Sequence, residues 1–123
     1  MQLNHLNLSV KDIPSTRALF ETYFDFTCVD PKLNDTLSVL HGPDGFILVL
    51  MHQKMNEKGN HTYPDTFHIG FYLEDEAAVK ATWERLKSGG IQLDQEPQIM
   101  RKTFGFYFTF DAIMIEITTP IKD

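Results

Sequence analysis

The chain has 123 residues, of which 42% are hydrophobic and 23% are charged, a balance typical of a folded globular domain and not of a disordered chain. Its 11 Lys and Arg residues stand against 17 Asp and Glu residues, and the net charge of −6 argues against a nucleic acid or an anionic membrane as partner. With one cysteine, no basic and apolar leader, and no apolar run of about 20 residues, we expect a cytoplasmic protein without disulfides.

The first half of the chain predicts a strand, a helix and three further strands. Apolar and polar residues alternate from His5 to Val10, as in a strand with one buried face. Asp12 and Pro14 are typical of a helix N-terminus, and apolar pairs four residues apart follow them. Further strand patterns cover residues 27–29, 35–40 and 46–51, with a Gly-Pro-Asp-Gly turn before the last of them.

The second half repeats this order of elements at an offset of 63 residues, after a predicted linker at about residues 53–65. Residues 67–73 alternate in the same way as the first strand, an acidic run at 74–76 begins a helix, and Gly89-Gly90 ends it. The expected strands are at 91–93 or slightly later, 103–110 and 113–118. We therefore predict one domain over residues 1–123, with module one at about 1–52 and module two at about 66–120.

Two βαβββ modules predict an α+β fold. A small sheet with one helix has only one of its faces covered, so we expect the two modules to form a curved mixed sheet. The helices would then lie on its outer face, and a concave cleft would lie on the other side. Residues that alternate away from the helices would line this cleft.

Three polar residues are predicted to face the cleft. Glu116 lies in an apolar strand on the face opposite Ile113, Ile115 and Ile117, where a carboxylate is costly unless a cation or several donors meet it. His5 and His68 also lie opposite the apolar residues of their strands. Two imidazoles and one carboxylate form a ligand set for a divalent transition metal that leaves positions open for substrate. The alternative is two separate hydrogen-bonded histidines and an ion-paired glutamate.

Three segments carry a family resemblance: LNHLNLSV at residues 3–10, TFHIG at 66–70 and IEI at 115–117. With the βαβββ repeat, they make the chain resemble the vicinal oxygen chelate superfamily from residue 3 to residue 120. This superfamily includes glyoxalase I, extradiol dioxygenases, fosfomycin thiol transferases and bleomycin-binding proteins. The resemblance implies metal ligands at His5, His68 and Glu116, with Glu116 also in a catalytic role. Val49 takes the place at which glyoxalase I has a fourth ligand, so the chain is more similar to the members with three ligands.

The resemblance implies a metal-dependent enzyme, in which Mn, Fe, Ni or Zn would act as a Lewis acid on adjacent oxygens of a small-molecule substrate. Lyase, isomerase, transferase and ring-cleaving oxygenase chemistry all stay open. The alternative function is a metal-free binding protein for a small molecule or antibiotic, similar to the bleomycin resistance proteins. Under either function the resemblance implies a homodimer, with modules that pair within one chain or by exchange between chains. Alternation in the strands makes four residues candidates for substrate binding: Asn7, Tyr72, Tyr107 and Met114.

Overall fold

The computed structural model describes residues 1–30, 34–58 and 63–121. It divides into two compact units, Met1–Thr62 and Tyr63–Asp123. Each unit contains one helix and one four-stranded mixed sheet, so the predicted α+β class and the repeated βαβββ order are confirmed. Within the described part of the chain, no helix is long and apolar enough to span a membrane.

The first unit follows the predicted order of elements. Its sheet has the order β1-β4-β3-β2, in which β1 and β4 are parallel and the other neighbours are antiparallel. A short 3-10 helix at Gln53–Met55 follows the last strand. The elements are β1 at His5–Val10, α1 at Ile13–Tyr23, β2 at Thr27–Cys28, β3 at Leu37–His41 and β4 at Ile47–His52.

The second unit repeats this topology, with the strand order β5-β8-β7-β6. Strands β5 and β8 are parallel, and β7 is antiparallel to both of its neighbours. The elements are β5 at His68–Tyr72, α2 at Glu76–Ser88, β6 at Gln98–Met100, β7 at Thr103–Phe110 and β8 at Ile113–Pro120.

Both helices begin where their capping residues predict. The Asp12 side chain accepts a hydrogen bond from the Ser15 backbone N–H, and Asp75 accepts one from Ala78. The apolar stripe of α2 packs on its sheet through Val79, Trp83 and Leu86. A cap and an apolar stripe therefore define each helix locally, which is why the sequence located them correctly.

One predicted strand lies elsewhere. The strand expected at residues 91–93 or slightly later is found at Gln98–Met100, whereas residues 91–93 belong to the connection after α2. The Ile91 backbone N–H donates to the Leu86 carbonyl, and the Trp83 indole N–H donates to the Gln95 carbonyl. These two bonds hold the connection against the helix, so its apolar residues pack there and not in the sheet.

The sheet of the second unit has one apolar and one largely polar face. The face toward α2 buries Ile113, Ile115 and Ile117 together with Phe104, Phe106 and Phe108 of β7. We call the other side of this sheet the distal face. It consists of His68, Gly70 and Tyr72 on β5, Met114, Glu116 and Thr118 on β8, and Gly105, Tyr107 and Thr109 on β7.

Candidate functional site

The strand register places Glu116 at the centre of the distal face. Glu116 on β8 is paired with Gly70 on β5 and with Tyr107 on β7. His68 is paired with Met114, the neighbouring position on the same face of β8. Residues diagonally opposite on neighbouring strands are within reach of long side chains, so His68 and Tyr107 can both approach the Glu116 carboxylate.

His68 and Glu116 form a close pair. Nε2 of His68 lies 3.6 Å from Oε1 of Glu116, and the two side chains are 39% and 22% exposed. On the other side of the ring, Nδ1 of His68 lies 2.9 Å from the Thr66 carbonyl oxygen. Because a carbonyl only accepts, Nδ1 carries the hydrogen, and in the neutral ring the lone pair is on Nε2, facing the carboxylate.

Tyr107 contacts both members of this pair. Tyr107 is paired with Glu116 across β7 and β8, and hydrogen bonding to the Glu116 side chain is the main reason that the pKa of Tyr107 is raised. Burial and the negative charge of Glu116 also raise this pKa, and the positive charge of Arg101 opposes them. The Tyr107 ring lies 5.6 Å from the His68 ring, centroid to centroid, at an interplanar angle of 76°. This edge-on arrangement is one that aromatic rings favour.

Gly70 leaves space beside the carboxylate. A Cβ atom at this position would lie 3.4 Å from Oε1 of Glu116. The same oxygen is the one that His68 approaches, so Oε1 is directed toward β5. Gly70 was not among the predicted site residues, although a glycine in the middle of a strand is a signal for close approach.

The His68–Glu116 pair fits two positions of a divalent metal ion. Nitrogen and oxygen ligands lie about 2.0–2.2 Å from such an ion, so two neighbouring ligand atoms are separated by about 3.0–3.5 Å. The 3.6 Å between Nε2 and Oε1 is close to this separation. The bond from Nδ1 to the Thr66 carbonyl is also the second interaction that metal-binding histidines commonly make.

The other predicted site residues have different surroundings. His5 is exposed on β1 of the first unit, with Nδ1 2.7 Å from Oδ1 of Asn4, and Asn7 is paired with Val49 on the same sheet. Met114 is half-buried beside His68 in the register, and Tyr72 is exposed near the far end of β5. Across the described ranges, no group of three or more His, Cys, Asp or Glu side chains is close enough to hold a metal ion. The structure thus brings together two of the three predicted ligands.

Comparison with known proteins agrees with this fold. Repeated βαβββ units with a histidine and a carboxylate on one sheet face are what the vicinal oxygen chelate resemblance implies. A family model for the Glyoxalase/Bleomycin resistance protein/Dioxygenase superfamily matches residues 2–120. The chain belongs to this superfamily, and the predicted resemblance is confirmed.

Several solved structures are similar to this chain over nearly their whole length. A possible glyoxalase from Bacillus cereus is 35% identical, with 95% of this chain and 97% of that chain covered and a TM-score of 0.76. Lactoylglutathione lyase from Agrobacterium tumefaciens is 15% identical, with 96% and 92% covered and a TM-score of 0.75. The fosfomycin resistance protein FosX from Listeria monocytogenes is 21% identical, with 97% and 93% covered and a TM-score of 0.74. At these identities the last two show the shared fold alone. No curated protein matches the chain.

Proposed function

We propose that this protein is a metal-dependent enzyme that acts on a small molecule with adjacent oxygens. Its ligands for a divalent transition metal would be His5, His68 and Glu116. One observation carries the proposal: Nε2 of His68 lies 3.6 Å from Oε1 of Glu116 on the polar face of the sheet, while Nδ1 is engaged by the Thr66 carbonyl. The family match over residues 2–120 supports it, because this superfamily description includes glyoxalases and dioxygenases.

Each residue of the site has a distinct role in this proposal. A divalent ion, when bound, supplies Lewis acidity to substrate oxygens. The Thr66 carbonyl keeps the hydrogen of His68 on Nδ1, so that Nε2 is available as a ligand. Glu116 contributes a ligand oxygen and is the group that would hold or move a proton during the reaction. Mn, Fe, Ni and Zn all suit two imidazoles and one carboxylate, and lyase, isomerase, transferase and ring-cleaving oxygenase chemistry are all compatible with this set.

The remaining parts of the proposal concern the assembly and the substrate. We propose a cytoplasmic homodimer of single-domain chains, with modules one and two paired within a chain or by exchange between chains. The proposed substrate contacts are Asn7, Tyr72, Tyr107 and Met114.

A metal-free binding protein is the second candidate function. Tyr72 is 75% exposed on the distal face, and an exposed aromatic ring there can stack on a flat ligand. The net charge of −6 favours a cationic ligand. The superfamily description also includes bleomycin resistance proteins.

Metal titration separates the two candidates. After treatment with a chelator, the purified protein should bind about one Mn²⁺, Ni²⁺ or Zn²⁺ per chain in a calorimetric titration. His68→Ala and Glu116→Gln should each weaken binding by at least tenfold, because each removes one ligand. The control is His41→Ala, which removes an exposed histidine of β3. Uptake of less than about a tenth of an equivalent by the wild-type protein would favour the metal-free binding function.

A further inference from the structure

The two sides of the Glu116 carboxylate differ in what they contact. On the β7 side, Tyr107 lies directly opposite Glu116 in the strand register, and hydrogen bonding to this carboxylate is the largest cause of the raised pKa of Tyr107. On the β5 side, Gly70 has no side chain, and His68 Nε2 approaches Oε1 without being close enough for a strong hydrogen bond. The carboxylate is therefore held from one side and left accessible on the other.

Tyr107 can orient both His68 and Glu116 because it contacts both side chains. Its hydroxyl interacts with the carboxylate, and its ring is T-shaped against the imidazole at a centroid distance of 5.6 Å. The Tyr107 backbone is itself held, because its N–H donates to Oε1 of Gln95 at 3.2 Å. A side chain that contacts both groups from a fixed strand position can limit the rotamers of both.

We propose that Tyr107 is a positioning residue, which directs Oε1 of Glu116 toward His68 and the space above Gly70. This inference rests on the proposed function, since it concerns how the two ligands are prepared for a metal ion. It assigns Tyr107 a role that does not require contact with substrate. The hydroxyl and the ring act separately: the hydroxyl orients the carboxylate, and the ring limits movement of the imidazole.

The first test measures metal binding. Tyr107→Phe keeps the ring and removes the hydroxyl, and we expect its dissociation constant for Co²⁺ to rise about tenfold, the lower end of the range for loss of a partner to a metal ligand. The visible absorption bands of bound Co²⁺ should also change, because the orientation of Glu116 changes. Tyr107→Leu removes the ring as well and should bind more weakly still. Tyr23→Phe, which removes a hydroxyl from α1 in the first unit, is the matched control and should bind like the wild type.

The second test needs no metal, so it separates failure of this inference from failure of the proposed function. In the metal-free wild type, nuclear Overhauser contacts should connect the Glu116 side chain with the His68 ring. We expect these contacts to weaken in Tyr107→Phe and to persist in Tyr23→Phe, with circular dichroism confirming that both variants fold. Unchanged contacts in Tyr107→Phe, or an unchanged affinity and absorption spectrum for Co²⁺, would overturn the positioning role. A wild-type protein that binds no Co²⁺ would overturn the proposed function, while the Overhauser contacts would still decide the role of Tyr107.

Discussion

Two glycines of the distal face differ in whether alanine could replace them, because different atoms lie beside them. At Gly105, a Cβ atom would overlap the Ile117 carbonyl oxygen, so this glycine is required for the packing of β7 against β8. At Gly70, a Cβ atom would make an ordinary contact of 3.4 Å with Oε1 of Glu116. An alanine is therefore tolerated by the fold at Gly70 and excluded from it at Gly105.

Gly70→Ala should consequently lower the affinity for a metal ion without lowering the thermal stability of the protein. We expect its melting temperature to stay close to that of the wild type, because the new methyl group meets no backbone atom closer than ordinary contact. Its affinity for Ni²⁺ should fall on the order of tenfold, because the methyl group fills the space beside Oε1 where a ligand would bind. Thermal unfolding and calorimetric titration measure the two quantities.

The comparison for this prediction is Gly105→Ala, which should unfold at a much lower temperature or fail to fold, since the backbone must move to admit its side chain. If Gly70→Ala binds Ni²⁺ as well as the wild type, the space above Gly70 is not part of a metal site.

Among the elements, those with a local signal were predicted well, whereas the position of β6 was not. Both helices have an Asp cap and an apolar stripe, and β8 has a regular alternation, so each could be located from neighbouring residues. The three-residue strand β6 has too few residues for a period, and its position depends on pairing with β7. The site follows the same rule. Alternation predicted the face on which Glu116 and Tyr107 lie, but the pairing of Glu116 with Gly70 follows from the register of β5 against β8, which is set by contacts distant in sequence.

The turn that sets the register of β7 against β8 contains backbone strain. Asp111 and Ala112 join β7 to β8 as a two-residue loop, with φ angles of 49° and 62°. Two central residues with positive φ define the hairpin turn that matches strand twist, and glycine is the favoured residue at its second position. In Ala112 the Cβ atom meets the backbone in this conformation, at a cost of about 1–2 kcal/mol.

Ala112→Gly should therefore stabilise the protein. Relief of the strain exceeds the extra conformational freedom that glycine has in the unfolded chain, about 0.5–1 kcal/mol. We expect the free energy of unfolding in urea to rise by about 0.5–1 kcal/mol. The matched control is Ala81→Gly, at an exposed position within α2, which should lower it by about 1 kcal/mol. A decrease for both variants would mean that Ala112 is not strained.

At the scale of the whole molecule, the proposed ligand set combines His5 of the first unit with His68 and Glu116 of the second. His5 is at the start of β1, and His68 holds the corresponding place at the start of β5. The repeated topology gives both histidines the same position in their sheets. If His5 completes the ligand set as we propose, metal binding links the folding of the two units, because a ligand that binds only the native state stabilises it.

This linkage predicts a stability effect that depends on His5. At a free Ni²⁺ concentration of 100 times its dissociation constant, binding contributes about 2.7 kcal/mol. For a chain of this size, the melting temperature should rise on the order of 10 °C. His5→Ala should lose most of this rise, although its own melting temperature without metal should stay close to that of the wild type, because His5 is exposed. His41→Ala, another exposed histidine of the first unit, should keep the full rise.

Mixing the variants then tests how the ligands are shared between chains. When His5→Ala and His68→Ala chains are unfolded together and refolded, exchange of modules between subunits would give mixed dimers with one intact ligand set. The Ni²⁺-dependent rise in melting temperature would then return for part of the sample. Pairing within each chain leaves every site with one ligand missing, so no rise returns. A full rise in His5→Ala alone would contradict the participation of His5 in either arrangement, and the site would then consist of ligands from the second unit.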